Sequence, residues 1–292
     1  MDVKIFFNAV NERIYNPIES GHSFFKNIYL PGPSFPDIKK ADIALIGLEE
    51  YRGAGRENEH DHGTDEIRAK LYNLKKGANT YKIVDLGNLR NGPTLEETQT
   101  RLQEVCRSLL DNEVLPLVFG GTHDMDIALY KAYQDMEKLV SILNVDAFID
   151  LGLEDEKFDN QNHIYKILTH EPNFLFNFSH IGYQSYLINP KSLAMMEELY
   201  FDTYRIGKLR QDIFEMEPVI RDADILSFDI TAIRSGDAPG NSNAQPFGLT
   251  GEEACQLCWY AGLNEKMSSA GFFEYDLMQD DQHKKTASVI AT

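Results

Sequence analysis

The chain has little positive charge, few cysteines and no long hydrophobic run. Its 292 residues include 28 Lys and Arg against 46 Asp and Glu, which gives a formal net charge of −18. This excess of negative charge repels phosphate backbones and acidic lipid surfaces, so nucleic-acid binding and attachment to anionic membranes are excluded as functions. Because no stretch approaches about 18 apolar residues, we expect no membrane span or signal peptide, and we expect a cytoplasmic protein.

The three cysteines, Cys106, Cys255 and Cys258, are too few for a disulfide framework and are typical of a reducing compartment. Cys255 and Cys258 form a CxxC pair, for which a zinc site or a redox pair is the alternative interpretation. No second CxxC completes a tetrahedral zinc site, and the i,i+3 spacing puts both cysteines on one face of a helix. We therefore interpret them as buried helix residues.

Eight short apolar runs alternate with segments of helical character. The runs are Asp42–Leu48, Tyr81–Leu86, Val114–Phe119, Leu139–Val145, Asn173–Phe178, Thr203–Gly207, Ile225–Ile230 and Ala270–Tyr275. Most are continuously apolar, which favours a parallel sheet covered on both faces. The order predicts an α/β fold: a three-layer α/β/α architecture with a doubly wound, mainly parallel sheet of about eight strands.

Neither an internal repeat nor a low-complexity linker divides the chain, so we expect a single domain over residues 1–292. Residues 1–40 are interpreted as an N-terminal extension, in which the proline-rich stretch Leu30–Pro36 leads into the first long strand. Residues 279–292 begin with polar side chains, and we expect this tail to be flexible and only partly ordered.

Polar clusters follow three of the predicted strands, at the place where ligands bind in such folds. His123 follows a Gly-Gly turn, Asp146 and Asp150 form a DxxxD pair, and Asp229 ends another strand. Carboxylates buried at strand ends are costly unless they are hydrogen-bonded, protonated or bound to a cation. Each residue alone is typical of a loop cap, but one histidine with three aspartates indicates a site for Mn²⁺ or a similar divalent metal.

The sequences around these residues resemble the arginase, agmatinase and formiminoglutamase family, the ureohydrolases. GGTHD, DAFID, SFDITAIRSGDAPG and PFGLTGEEA occur in the family's order, and the resemblance extends from about Ala41 to Asp276. It implies an α/β sandwich and a pair of Mn²⁺ ions bridging a hydroxide that attacks a guanidinium or formimino carbon. It also implies a small-molecule amidine substrate and self-association into a homo-oligomer.

Two of the six metal-ligand positions of that family differ in this chain. Phe148 replaces the histidine of the family's DAHxD motif, and Thr231 replaces the second aspartate of its DxD motif. By resemblance, both positions serve only the second metal. The ligands that the resemblance assigns to the first metal are all present: His123, Asp146, Asp150 and Asp229. We therefore expect one divalent metal at most, Mn²⁺ before others, or none.

Three further residues take roles from the resemblance. His163 matches the family's proton-shuttling histidine and is the candidate catalytic residue. Glu274 and Asp276 follow the last strand, where the family places an acidic residue that grips the amidine, and we favour Asp276 by position. Residues His60–His62 have an HxH spacing that could clip a metal, although a solvated polar loop is the favoured interpretation.

Two functions remain open. The first is an active hydrolase of the C–N bond of a linear amidine, guanidino or formimino compound, working with one metal. The alternative is a catalytically inactive ureohydrolase-fold protein with a ligand-binding, structural or partner-binding role. The fold is the same under both hypotheses, and the loss of both second-metal positions argues against efficient two-metal catalysis.

Overall fold

A sheet of ten strands lies at the centre of the protein. A computed structural model describes residues 3–18, 21–30, 38–57, 62–77, 81–152 and 158–292. The strands are β1 (Phe7–Asn8), β2 (Ile28–Tyr29), β3 (Ile43–Leu48), β4 (Ile83–Leu89), β5 (Leu115–Gly120), β6 (Val140–Val145), β7 (Leu175–Tyr183), β8 (Asp202–Arg205), β9 (Ile225–Asp229) and β10 (Ser269–Phe273). Their order across the sheet is β1-β4-β3-β5-β10-β9-β6-β7-β8, and β2 also pairs with β4.

The eight predicted strands are confirmed as β3 to β10, and all of their pairings with one another are parallel. Two strands were not predicted, and both come from the N-terminal extension. β1 runs antiparallel to β4 and β2 runs parallel to it. Each has only two residues, which is too short for an apolar pattern to register in the sequence.

Helices cover both faces of the sheet, which confirms the three-layer architecture. They are α1 (Glu12–Tyr15), α2 (Gly63–Asn73), α3 (Leu95–Leu110), α4 (Asp126–Gln134), α5 (His163–Leu168), α6 (Pro190–Glu198), α7 (Ile206–Leu209), α8 (Met216–Arg221), α9 (Gly251–Gly262) and α10 (Lys285–Ala291). Apolar residues of α3, α4 and α5 share one core cluster, while those of α2 and α10 and of α8 and α9 form separate clusters. Successive side chains of β3 point to opposite faces of the sheet. Ala44 and Ile46 therefore belong to the cluster of α3, α4 and α5, and Leu45 belongs to that of α2 and α10.

The two cysteines of the CxxC pair lie on α9, as predicted, and both are free thiols. They are only partly buried, however, so the expectation of full burial is wrong. The buried residues of α9 are Ala254, Leu257 and Ala261, which form the stripe that packs against the sheet. The cysteines lie beside this stripe, because each is directly next in sequence to one of its members.

The C-terminal tail is ordered in the structure, which corrects the expectation of a flexible segment. It forms α10, which packs against α2, and Ala287 is fully buried. The carboxylate of Asp280 accepts hydrogen bonds from the backbone N–H groups of Thr286 and Ala287, and the Thr286 hydroxyl accepts one from Gly240 N. The polar residues at the start of the tail thus cap its helix.

Most of the proline-rich stretch, residues 31–36, lies outside the described residues. Among the helices that are described, none combines the length and apolar character needed to cross a membrane.

An ion pair between Arg68 of α2 and Asp85 of β4 is fully buried between the helix and the sheet. The guanidinium donates to both carboxylate oxygens at 2.8 and 3.0 Å, and the Tyr72 hydroxyl donates to Asp85 at 2.7 Å. The guanidinium also lies over the ring of Phe119, 4.9 Å from its centre. Phe119 directly precedes the Gly-Gly turn, so this pair anchors the base of the loop that carries His123.

We predict that Arg68→Met lowers the free energy of unfolding by about 3–5 kcal/mol, because Asp85 is then left as a buried charge without its partner. The matched control is Arg107→Met, whose half-exposed i,i+4 pair with Asp111 contributes about 1 kcal/mol or less. Denaturant unfolding of both variants measures the difference. Equal costs for the two substitutions would contradict this assignment.

Candidate metal centre

Three strands near the middle of the sheet, β5, β9 and β6, end at the same edge and deliver the polar clusters. Gly120 and Gly121, at the end of β5, have φ values of 85° and 72°, a backbone that favours glycine. This turn leads to His123, the first residue of a short 3₁₀ helix. Asp229 is the last residue of β9, and Asp146 directly follows β6.

The four residues predicted as metal ligands lie together around one nitrogen. The Nδ1 atom of His123 is 3.3 Å from an oxygen of Asp229, 3.5 Å from one of Asp146 and 3.9 Å from one of Asp150. His123 and Asp146 are fully buried, and Asp229 nearly so. The convergence that the strand ends predicted is therefore present in the fold.

Several atoms of this cluster have no hydrogen-bond partner among the described residues. They are the Nδ1 atom of His123, the Oδ2 atom of Asp146 and the Nε2 atom of His163. Buried polar atoms are almost always paired, so three unpaired atoms within one cluster indicate a missing ligand. Ligands at about 2.0–2.2 Å from a common divalent cation stand about 3 to 3.5 Å apart, which is close to the observed spacing. One imidazole and three carboxylates are also a donor set that suits Mn²⁺.

The two substituted positions place hydrogen-bond donors against two of the carboxylates. The hydroxyl of Thr231 donates to the Oδ1 atom of Asp146 at 2.8 Å, and its backbone N–H donates to the Oδ1 atom of Asp229 at 2.7 Å. The backbone N–H of Phe148 also donates to Asp146 Oδ1, at 3.1 Å. One oxygen of Asp146 and one of Asp229 are thus hydrogen-bonded to the protein, while their Oδ2 atoms face His123.

The charges of the cluster perturb one another strongly. Burial raises the pKa of Asp150 to about 8, and the nearby Asp146 carboxylate adds to the rise. Burial opposes the ionisation of Asp146 as well, but the hydrogen bond and charge of His123 hold its pKa at about 2. Burial alone would lower the pKa of His123, yet Asp146 and Asp229 raise it well above its usual value. The cluster as a whole therefore favours positive charge at its centre.

His163, predicted as a proton carrier, is fully buried inside the cluster. Its ring centre is 4.2 Å from that of His123, and its Nε2 atom is 3.5 Å from an oxygen of Asp150. The backbone N–H of Ile164 donates to the carbonyl of Asp150, which ties the start of α5 to this loop. The side chain is thus directed at the predicted ligands.

Two contributing residues were missed by the sequence reasoning, Asp126 and Ser227. Asp126 accepts a hydrogen bond from the Nδ1 atom of His163 at 2.9 Å and one from the Ser227 hydroxyl at 2.9 Å. Ser227 in turn contacts the Nε2 atom of His123 at 2.9 Å. Ser227 lies two residues before Asp229 on β9, so the period-2 rule could have placed it on the same face.

The structure separates the two acidic residues after the last strand. One oxygen of Glu274 accepts from the backbone N–H of His123 at 2.9 Å and from the amide of Asn160 at 3.1 Å. Burial, with a contribution from Asp229, raises the pKa of Glu274 to about 7. Asp276 instead pairs with Arg56 at 2.9 Å. Glu274 therefore adjoins the cluster more directly than Asp276, the residue favoured from position alone.

Of the HxH segment, His60 and Asp61 lie outside the described residues, so the metal-clip interpretation stays a prediction. The described member, His62, directly precedes α2 and lies 3.6 Å from Asp65.

Residues 41–292 match the arginase family, so the chain belongs to that family. The family interpretation of the motifs is thereby confirmed. The retained ligand positions and the strand order are consistent with it.

Among curated proteins, the chain is similar to formimidoylglutamases. It is 26% identical to that of Streptococcus gordonii over 90% of this chain and 85% of the relative, and 26% identical to that of Geobacillus thermodenitrificans over 92% and 87%. Among solved structures, a formiminoglutamase of Trypanosoma cruzi with Mn²⁺ has a TM-score of 0.78 at 21% identity, over 88% of this chain and 93% of that one. The formimidoylglutamase of Bacillus subtilis also has a TM-score of 0.78, at 18% identity over 96% and 94%. These likenesses confirm the fold.

We predict that the double variant Phe148→His with Thr231→Asp raises the Mn²⁺ content from one ion per chain to two. It removes the Thr231 hydroxyl that donates to Asp146, and it restores a histidine and an aspartate at the two positions that lack a metal ligand. Elemental analysis after loading and gel filtration measures the content. Phe176→His with Thr100→Asp is the matched control, since both positions are exposed and distant in the fold. A wild-type protein that already holds two ions, or a double variant that stays at one, would contradict the single-metal geometry.

Proposed function

We propose that this protein is a metal-dependent hydrolase of the C–N bond of a linear amidine, with a formimino compound as its substrate and one divalent metal, Mn²⁺ before others. One observation carries the proposal: the unpartnered Nδ1 atom of His123 faces oxygens of Asp146, Asp150 and Asp229 at the carboxyl edge of the sheet. The formimidoylglutamase relatives support the formimino class. The retained ligand set favours this function over the catalytically inactive alternative.

His123, Asp146, Asp150 and Asp229 would hold the metal, which supplies Lewis acidity and makes a nucleophile available from water near neutral pH. The protein keeps these ligands in place through donors on their far side. Thr231 fixes the rotamers of Asp146 and Asp229, and the backbone carbonyl of Asp150 is held by Ile164. The carboxylates of Asp146 and Asp229 and the backbone of Asp150 are thus held in place before a cation arrives, which lowers the cost of assembling the site.

Glu274 is the group that contacts the substrate in this proposal. It lies against the backbone of His123, so it borders the centre without belonging to it. A carboxylate at this distance attracts the cationic amidine and orients its carbon toward the centre. Its pKa of about 7 also suits a group that takes or returns a proton near neutral pH.

We expect the Mn²⁺-loaded protein to release formamide from formimidoylglutamate, with urea release from arginine or agmatine much slower. His123→Asn and Asp150→Asn should abolish release, because each removes a proposed ligand. His170→Asn is the control, since His170 lies outside the cluster and its ring packs edge-on against that of Tyr130. Fully metallated protein that releases neither product would refute the proposal.

Glu274 and Asp276 can be separated by paired amide substitutions. Glu274→Gln should lower kcat/KM by about 100-fold, the range of a positioned acid or base. Asp276→Asn should cost less than about tenfold, because it weakens a pair with the partly exposed Arg56 and not a contact with His123. Steady-state kinetics at constant metal content test both. The opposite ranking would restore Asp276 as the substrate-binding residue.

A further inference from the structure

The chain has lost a nitrogen donor at Phe148, yet a second imidazole stands beside the retained ligands. His163 and His123 are both fully buried, with ring centres 4.2 Å apart. The Nε2 atom of His163 lacks a hydrogen-bond partner among the described residues, and it lies 3.5 Å from the Asp150 oxygen that also faces His123. His123, Asp150 and His163 thereby present three ligand atoms within 4.8 Å of one another, and His123 forms a second group of this kind with Asp146 and Asp229.

The hydrogen-bond donors and acceptors determine which nitrogen of His163 is free. An ionised carboxylate only accepts hydrogen bonds, and the Asp126 carboxylate has one oxygen 2.9 Å from the Nδ1 atom of His163 and the other 2.9 Å from the Ser227 hydroxyl. The Nδ1 atom of His163 must then carry a proton and donate it to Asp126. In the neutral ring the lone pair lies on Nε2, the atom directed at Asp150.

The Asp126 carboxylate also determines the tautomer of His123, through the hydroxyl of Ser227. The hydroxyl proton of Ser227 is donated to Asp126, so the Ser227 oxygen accepts from the Nε2–H group of His123. The lone pair of His123 therefore lies on Nδ1, facing the three aspartates. Asp126 thus sets both imidazoles so that their free nitrogens point at one place, an arrangement typical of metal-bound histidines.

We propose that His163 is a ligand of the metal, which makes the centre a mononuclear site of two histidines and three aspartates: His123, His163, Asp146, Asp150 and Asp229. The inference rests on the proposed function, because it concerns the cation of that same site. His163 supplies an imidazole nitrogen to a cluster that has none from position 148. Asp126 is a positioning residue that orients both imidazoles.

This assignment accounts for the burial of His163. A proton carrier needs a path between the substrate and water, whereas His163 has no exposed surface and its Nδ1 atom is held by Asp126. A metal ligand needs a fixed ring and a free nitrogen in a dry place. The side chain meets the second description.

Counting nitrogens on the metal tests the proposal without any assay of hydrolysis. Electron–nuclear double resonance of wild-type holoprotein, loaded with Mn²⁺ and labelled with ¹⁵N-histidine, should show two coupled imidazole nitrogens. His163→Phe keeps an aromatic ring and should show one, with a Kd for Mn²⁺ raised at least about tenfold in calorimetry. Asp126→Asn should raise the Kd about 10–100-fold while leaving every ligand in the sequence.

His283→Phe is the matched control, because His283 is exposed and far along the chain from the cluster; its spectrum and Kd should equal those of the wild type. One coupled nitrogen in the wild-type spectrum overturns the proposal even if His163→Phe does not fold, and so does an unchanged Kd in a folded His163→Phe. Active protein with one imidazole on the metal refutes this inference alone. Two imidazoles without hydrolysis refute the proposed function alone.

Discussion

Asp146, Asp150 and Asp229 each direct one oxygen at the same nitrogen of His123, in a place with almost no access to water. Two unit charges about 4 Å apart repel each other by about 4 kcal/mol at an effective dielectric constant of about 20. Three buried carboxylates therefore cannot all stay ionised unless positive charge lies between them. The raised pKa values of His123 and Asp150 show how protons respond to this requirement, and a divalent cation meets it with a single ion.

The substitution at Thr231 does more than remove a ligand, because its hydroxyl donates a hydrogen bond to Asp146. The backbone N–H groups of Phe148 and Thr231 also donate to Asp146 and Asp229, as those of any residue except proline could. One oxygen of each of these two carboxylates is thereby hydrogen-bonded to the protein, while the other faces His123. The Asp146 Oδ1 atom thus has an O–H partner that an ionised aspartate at position 231 could not supply.

The long strands could be predicted because strands buried on both faces are apolar throughout, and the convergence of His123 with the aspartates could be predicted because parallel strands end at one edge. The direction of His163 could not, since it depends on how the start of α5 is tied to Asp150. The choice between Glu274 and Asp276 could not be decided from position either. β10 ends at Phe273 and Glu274 has a φ of 68°, so strand alternation no longer decides where these side chains lie.

Part of the large negative charge of the chain lies at the carboxyl edge of the sheet, where it would act on a bound cation. Three aspartates and Glu274 together carry more negative charge than one divalent cation offsets, so the loaded site stays attractive to a cation. In the proposed function, an amidine that is protonated near neutral pH would enter such a site as the remaining counter-charge. Its hydrolysis would turn the amidine carbon into a neutral amide, which would no longer balance Glu274 and Asp229. The electrostatic excess that would attract a metal and an amidine would thus also favour departure of the product.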